Sequence, residues 1–129
     1  MTATGRLLDR RRCCLAVIDV QDYFLAKLPV DQRAPLVGRI AWLMRVALAL
    51  EIPLLVTGED ISGNGRVVPE IERLLPVGAA VHDKMVFDLM GQADIRAAVV
   101  ATGRDQFVLT GLESDVCVTH SAFGLTAAG

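Results

Sequence analysis

Histidine is scarce in this chain: only His82 and His120 occur among 129 residues, and neither has a second histidine at metal-ligand spacing. They read as a loop-proximal packing residue and a helix-face residue, not as ligands. Aromatic residues are also few, 5% of the chain, so the core must be built from Val, Leu, Ile and Ala. No sign of charge dominates. Thirteen basic against 15 acidic side chains leave a net charge of −2, which gives neither nucleic acid nor an anionic membrane a footprint. The short run Arg10-Arg11-Arg12 is expected to be a solvated flank. No apolar stretch reaches the roughly 20 residues a helix needs to cross a bilayer. Arginines followed by the run Cys13 to Ile18 imitate an export signal, but Asp19 interrupts the run and no small-residue cleavage site follows. Three cysteines, two of them adjacent, make no disulfide framework, so a reducing, cytoplasmic setting is the simplest expectation.

What the chain does have is aliphatic residues, 53% apolar overall, in a length that suits one domain over residues 1–129. Residues 1 to 9 read as a loose leader. Cys13 to Val20 is a continuous apolar run with one acid, Asp19, and predicts a strand buried on both faces. Gln21 to Pro35 reads as a loop carrying Tyr23, Phe24 and Leu25. Leu36, Val37, Ile40, Leu43, Met44, Ala47 and Leu48 then recur at helical spacing, with Trp42 off that stripe. Ile52 to Thr57 is a second strand, followed by a Gly-, Asp- and Asn-rich loop from Thr57 to Gly65. That loop lacks a phosphate-binding glycine pattern. Pro69 to Leu75 predicts a short helix and Ala79 to His82 a third strand. Asp94 is placed to cap a helix from Ile95 to Thr102, which Gly103 stops. Gln106 to Thr110 is a fourth strand, and a last helix is expected from about Val116 to Ala127. Strands alternating with helices imply right-handed βαβ units and a three-layer α/β/α, Rossmann-like fold around a parallel sheet of order 3-2-1-4.

In such a sheet ligands bind at the carboxyl ends of the strands, at the switch point. Asp19 stands at one such end; a carboxylate there is either paired or functional, because burying it alone is very costly. Cys117 follows the fourth strand where a helix should begin, a place where the macrodipole favours the nucleophilic thiolate. The ordinary alternative is a small buried cysteine starting a helix. In the order 3-2-1-4 these two side chains flank the switch point as base and nucleophile. Lys84 lies after the third strand, two strand spacings (about 10 Å) from the first, so a loop is expected to deliver it.

Three pieces together, Leu15-Ala-Val-Ile-Asp19-Val-Gln-Asp-Tyr-Phe24, Asp83-Lys84-Met-Val-Phe87 and Gly111-Leu-Glu-Ser-Asp-Val-Cys117-Val, resemble the isochorismatase-like cysteine hydrolases, the superfamily that includes nicotinamidases. The resemblance implies an Asp19–Lys84–Cys117 triad that opens a small-molecule amide-type C–N bond through a thioester, with Lys84 holding both anionic partners and depressing the cysteine pKa. It further implies a cis peptide at Leu112–Glu113 and an oxyanion hole made by the N–H groups of Glu113 and Cys117. Gln21, Tyr23, Phe24, Phe87 and Val116 would line the substrate pocket, and a homo-oligomer is expected.

Two departures from the family matter. Nicotinamidases hold a metal through an Asp and histidines in the loop matching Thr57 to Gly65, whereas this loop offers only Glu59 and Asp60, so no metal and no cofactor are expected. Isochorismatases proper cleave a vinyl ether without a nucleophilic cysteine, and Cys117 argues against that chemistry. The family also continues past the helix after the cysteine into further strands. This chain is therefore expected to be incomplete at its C-terminal side, with its fourth strand an open apolar edge that a partner would cover. The competing expectation is a catalytically silent binding or assembly module.

Overall fold

The computed structural model describes residues 7–129; residues 1–6 of the expected leader lie outside the described part. Four parallel strands, β1 (Cys13–Ile18), β2 (Leu54–Glu59), β3 (Val81–Lys84) and β4 (Gln106–Gly111), form one sheet in the expected order β3-β2-β1-β4. All six residues of β1 are buried, as its unbroken apolar run requires. Its side chains alternate between two cores, which is the period-two geometry of a strand. Leu15 and Val17 pack with Ile40, Met44 and Ile71, while Cys14, Ala16 and Ile18 pack with Leu89, Ile95 and Val99.

Six helical segments cover the two faces: α1 (Asp22–Leu25), α2 (Val30–Ala49), α3 (Ile61–Asn64), α4 (Pro69–Glu72), α5 (Ala93–Ala101) and α6 (Thr119–Ala128). The apolar stripe of α2 faces the sheet through Val37, Ile40, Ala41, Met44 and Ala47, and Trp42 is exposed. Gly103, at φ +66°, ends the turn after α5 as its lack of a Cβ allows.

Several boundaries differ from expectation. Helix α2 begins at Val30, so Pro35 lies inside it rather than closing a loop. The ring deprives the carbonyl of Asp31 of its partner, but Asp31 is exposed and water can serve that oxygen. The Arg33 guanidinium donates to the carbonyls of Ala26 and Leu28, which fastens the preceding turn to the helix. The presumed loop at Asp22–Leu25 is one helical turn that buries Phe24 and Leu25. Gln92, not Asp94, occupies the N-cap of α5; Asp94 sits in its first turn and accepts from the Gln92 side chain. β3 ends at Lys84 rather than at His82, so the lysine is a strand residue paired with Glu59. The last helix starts at Thr119, after a π-helical turn over Ser114–Val118 that contains Cys117.

β4 pairs with β1 along one edge, and no strand lies along its other edge among the described residues. Gly111 stands opposite Ile18 at the end of β4, just before the π turn. A Cβ added there would lie 2.7 Å from Val118 Cγ2 and 2.8 Å from the Ile18 carbonyl oxygen, and a backbone oxygen cannot yield as a side chain can. Gly111→Ala should therefore lower stability by about 1–3 kcal/mol through overpacking, read as a reduced urea midpoint at unchanged m-value.

Candidate active site

The carboxyl ends of β1, β2 and β3 and the turn after β4 converge. Asp19 follows β1 with φ +57°, a left-handed backbone that is costly for a residue with a Cβ and is held here from two sides. Its N–H donates to the Thr57 carbonyl at 3.0 Å, and its carbonyl accepts from the Gln21 N–H at 3.0 Å. This bend turns the carboxyl group across the sheet end. The Thr57 hydroxyl donates to Asp19 Oδ1 at 2.8 Å, and Lys84 Nζ lies 3.0 Å from Oδ2. Lys84 is 0% and Asp19 4% exposed, so the pair is fully inside the protein. The ammonium also donates to the carbonyls of Val86 at 2.5 Å and Phe87 at 3.2 Å. These oxygens fix its direction, so the ammonium meets Oδ2 as an ion pair and not along a well-aligned hydrogen bond. The extended lysine stem, starting from the strand, spans the distance for which a loop had been expected.

Cys117 completes the cluster. Its thiol donates to Glu59 Oε2 at 3.4 Å, and the sulfur, one Asp19 oxygen and one Glu59 oxygen all lie within 4.8 Å of one another. The cysteine is 2% exposed and packs among Cys14, Ile18, Leu89 and Met90. The expectation of a depressed thiol pKa does not hold. Burial, then the adjacent Asp19 carboxylate and its hydrogen bond, push the thiol up to about 12, with Glu59 adding to the rise; Lys84 pulls the other way but is outweighed. The helix dipole gives little help, because Cys117 sits inside the π turn and not at the head of α6.

Glu59 and Thr57 are the residues whose roles sequence reasoning missed. Both sit in strand β2, one residue apart from Gly58, so the same face that brings Thr57 to Asp19 brings Glu59 to Cys117. Period-two spacing from Thr57 was the available signal. The backbone of Glu59 is gripped by Gln21: its N–H donates to Gln21 Oε1 at 2.8 Å, and its carbonyl accepts from Gln21 Nε2 at 3.0 Å. Nε2 also donates to the Gly65 carbonyl at 2.7 Å. Gln21, expected to line the pocket, is thus fully buried and its amide is committed to three backbone partners.

The other expected pocket residues are spread more widely. Tyr23 is exposed and meets the buried Phe24 edge-on, with Lys27 Nζ 5.3 Å and 5.0 Å from the two ring centroids. Lys27 also pairs with Glu113 at 3.5 Å. Phe87 is exposed and stacks on His120, and Val116 packs against the core that holds Cys117. The expected cis bond at Leu112–Glu113 is absent: every peptide bond among the described residues is trans. A non-proline cis bond costs about 3 kcal/mol and persists only where its surroundings enforce it. The turn that follows Glu113 is exposed at Ser114 and Asp115, so it provides no such enforcement.

Asp19, Glu59 and Cys117 are also the one group of three possible metal ligands among the described residues. The set does not suit a resident metal. It mixes a thiolate, which selects soft ions, with carboxylates that select hard ones, and the Lys84 ammonium already shares Asp19.

The thiol's raised pKa has a consequence for stability. An unfolded chain releases this proton near pH 9, whereas the folded chain keeps it until about pH 12. The folded state therefore binds more protons in that window, and stability falls as pH rises through it. Cys14, pushed up to about 11 mainly by burial, acts in the same sense. Cys117→Ala should flatten the decline of Tm between pH 9 and pH 11 relative to the parent chain; an unchanged slope would show that the sulfur holds no excess proton.

An acid–ammonium pair beside a buried thiol, at the carboxyl end of a 3-2-1-4 sheet, now meets the comparisons with known proteins. A family model described as the Isochorismatase domain matches residues 13–129. Isochorismatase domain-containing protein 2 of Danio rerio is 28% identical over 132 residues, covering 100% of this chain and 62% of the relative. YcaC from Pseudomonas aeruginosa, solved with hexane-2,5-diol and covalent acrylamide, superposes with a TM-score of 0.84 at 25% identity over 99% of this chain and 64% of its own. YcaC from Escherichia coli, described as an octameric hydrolase of unknown specificity, gives the same score and identity over 99% and 63%. The chain thus spans a little under two-thirds of the length of these relatives, and with its parallel sheet, its strand order and its residues 13–129 it belongs to the isochorismatase family of hydrolases.

Proposed function

We propose that this chain is a cysteine hydrolase of a small-molecule amide-type C–N bond, working through a thioester with Asp19, Lys84 and Cys117. The observation that carries the reading is the buried Asp19–Lys84 pair, 3.0 Å across, with the Cys117 sulfur beside the same carboxylate. The high thiol pKa defines how such a site must work: the resting sulfur is a thiol, and Asp19 removes its proton as attack occurs. Sγ then bonds to the carbonyl carbon, and the N–H groups of Glu113 and Cys117 receive the oxyanion. Asp19 returns the proton to the leaving nitrogen, the C–N bond breaks, and a thioester remains. Water, deprotonated by Asp19, attacks the thioester; the acid leaves and the sulfur regains its proton. Lys84, 3.0 Å from Oδ2, faces the Asp19 carboxylate in the states that carry no proton, before the thiol attacks and again before water does.

In this reading Tyr23, Phe24, Phe87 and Val116 shape the approach to the sulfur, and Gln21 braces it from behind. The reading takes residues 1–129 as one domain of a cytoplasmic enzyme that acts on a small molecule. The octameric description of the Escherichia coli relative favours a homo-oligomer. A second reading, a catalytically silent binding or assembly module, draws on the near-complete burial of Cys117. Cys117→Ala separates the two. Amide turnover should fall by at least about a thousandfold, as on loss of a nucleophile, while circular dichroism and Tm stay close to the parent; undiminished turnover, or none in the parent, leaves the silent module.

A further inference from the structure

Glu59 has no part in the proton transfers described above, yet the thiol donates to it. It is a built feature: β2–β3 pairing sets it opposite Lys84, and the buried Gln21 amide grips its backbone on both sides. Glu59 as a whole is half-buried, not sealed in the core as Lys84 is. The charges at this strand end do not balance. Two carboxylates, Asp19 and Glu59, have an oxygen within 4.8 Å of the sulfur, whereas the Lys84 ammonium is taken up by Asp19 and two carbonyl oxygens. An anionic group brought to the sulfur would meet repulsion, and a cationic one would complete the balance.

We propose that Glu59 is a specificity-determining residue: it selects a substrate whose cationic nitrogen, an ammonium or amidinium, docks on the Glu59 carboxylate while its carbonyl faces Cys117. The proposal rests on the hydrolase reading and names its substrate class. Geometry also limits the spacing. A carbonyl carbon poised for attack stands about 3–3.5 Å from the sulfur, and an ammonium stands about 2.8 Å from a carboxylate oxygen. With Sγ and Oε2 only 3.4 Å apart, the cation and the carbonyl lie within a few bonds of each other in one small molecule. The compounds that fit are amides bearing an amino or amidino group close to the carbonyl. The cation takes over the contact that the thiol now makes with Glu59, leaving the thiol proton to Asp19.

The test compares Cys117 labelling by two thiosulfonates of similar size, one carrying 2-aminoethyl and the other 2-sulfonatoethyl, with the modified peptide identified by mass spectrometry and rates taken relative to a free thiol. In the parent chain the cationic reagent should react at least about tenfold faster, an electrostatic preference that shrinks with added salt. Glu59→Gln should remove most of that ratio, whatever it does to both absolute rates, and Glu59→Asp should retain part of it; a thermal melt of each variant checks folding. A ratio near one in the parent chain, a ratio unchanged in Glu59→Gln, or no labelling of Cys117 by either reagent overturns the proposal. A second arm offers β-alaninamide, butyramide and succinamate as cationic, neutral and anionic amides, with preference for the first expected. Hydrolysis without that preference overturns the selection by Glu59 while the hydrolase reading stands. Charge-selective labelling with no hydrolysis of any amide overturns the hydrolase reading, and with it the substrate class, while the selection of charge by Glu59 stands.

Discussion

The structure depends on an ion pair that water cannot reach. Removing Asp19 and Lys84 from solvent is expensive, and their mutual attraction offsets that cost only with good geometry and with the remaining polar atoms answered. The chain meets those terms from three strand ends. Thr57 serves one carboxylate oxygen, the carbonyls of Val86 and Phe87 serve the ammonium, and the turn at Asp19 aims the carboxyl group. The pair therefore registers three strand ends against one another, and neither of its members could lose the other without leaving a buried charge behind.

Around this pair the family assignment and the geometry point the same way, but the thiol behaves differently from a simple reading of a triad. A lysine near a cysteine suggests a resting thiolate. Here Lys84 is already committed to Asp19 and two carbonyls, and Cys117 lies in an apolar core beside two carboxylates. The balance keeps the proton on sulfur, which makes the carboxylate the active partner and the cysteine dependent on it.

Much of this was legible in the residues, for reasons that differ from place to place. The strand order and the burial of β1 follow from an apolar run too continuous for a half-exposed strand, and Asp19 announces itself as the one charge in that run. Lys84 was found by its place in a motif, but its delivery was misjudged, because β3 runs two residues further than its apolar letters suggest; Asp83 and Lys84 read as loop and pair as strand. The start of α2 was hidden by Pro35, which looks like a boundary and is tolerated because the carbonyl it orphans faces water. The role of Gln21 was beyond reach of local reading, since its three partners at Glu59 and Gly65 lie about forty residues away in sequence. Glu59 was visible as an acid in a loop, but only β2's extension to that residue turns its side chain toward the sulfur. The trans bond at Leu112–Glu113 shows that a motif can carry its letters without its backbone state.

One consequence follows from the way β1 divides its side chains. Leu15 and Val17 belong to one apolar cluster, and Cys14, Ala16 and Ile18 to the other, while Asp19 belongs to neither. A single six-residue ribbon is thus the party wall between two compartments and the footing of the carboxylate at its end. Slackness introduced in either compartment, however far from the thiol, is transmitted to the alignment of that acid, so wear in the packing registers as lost chemistry before the protein comes apart.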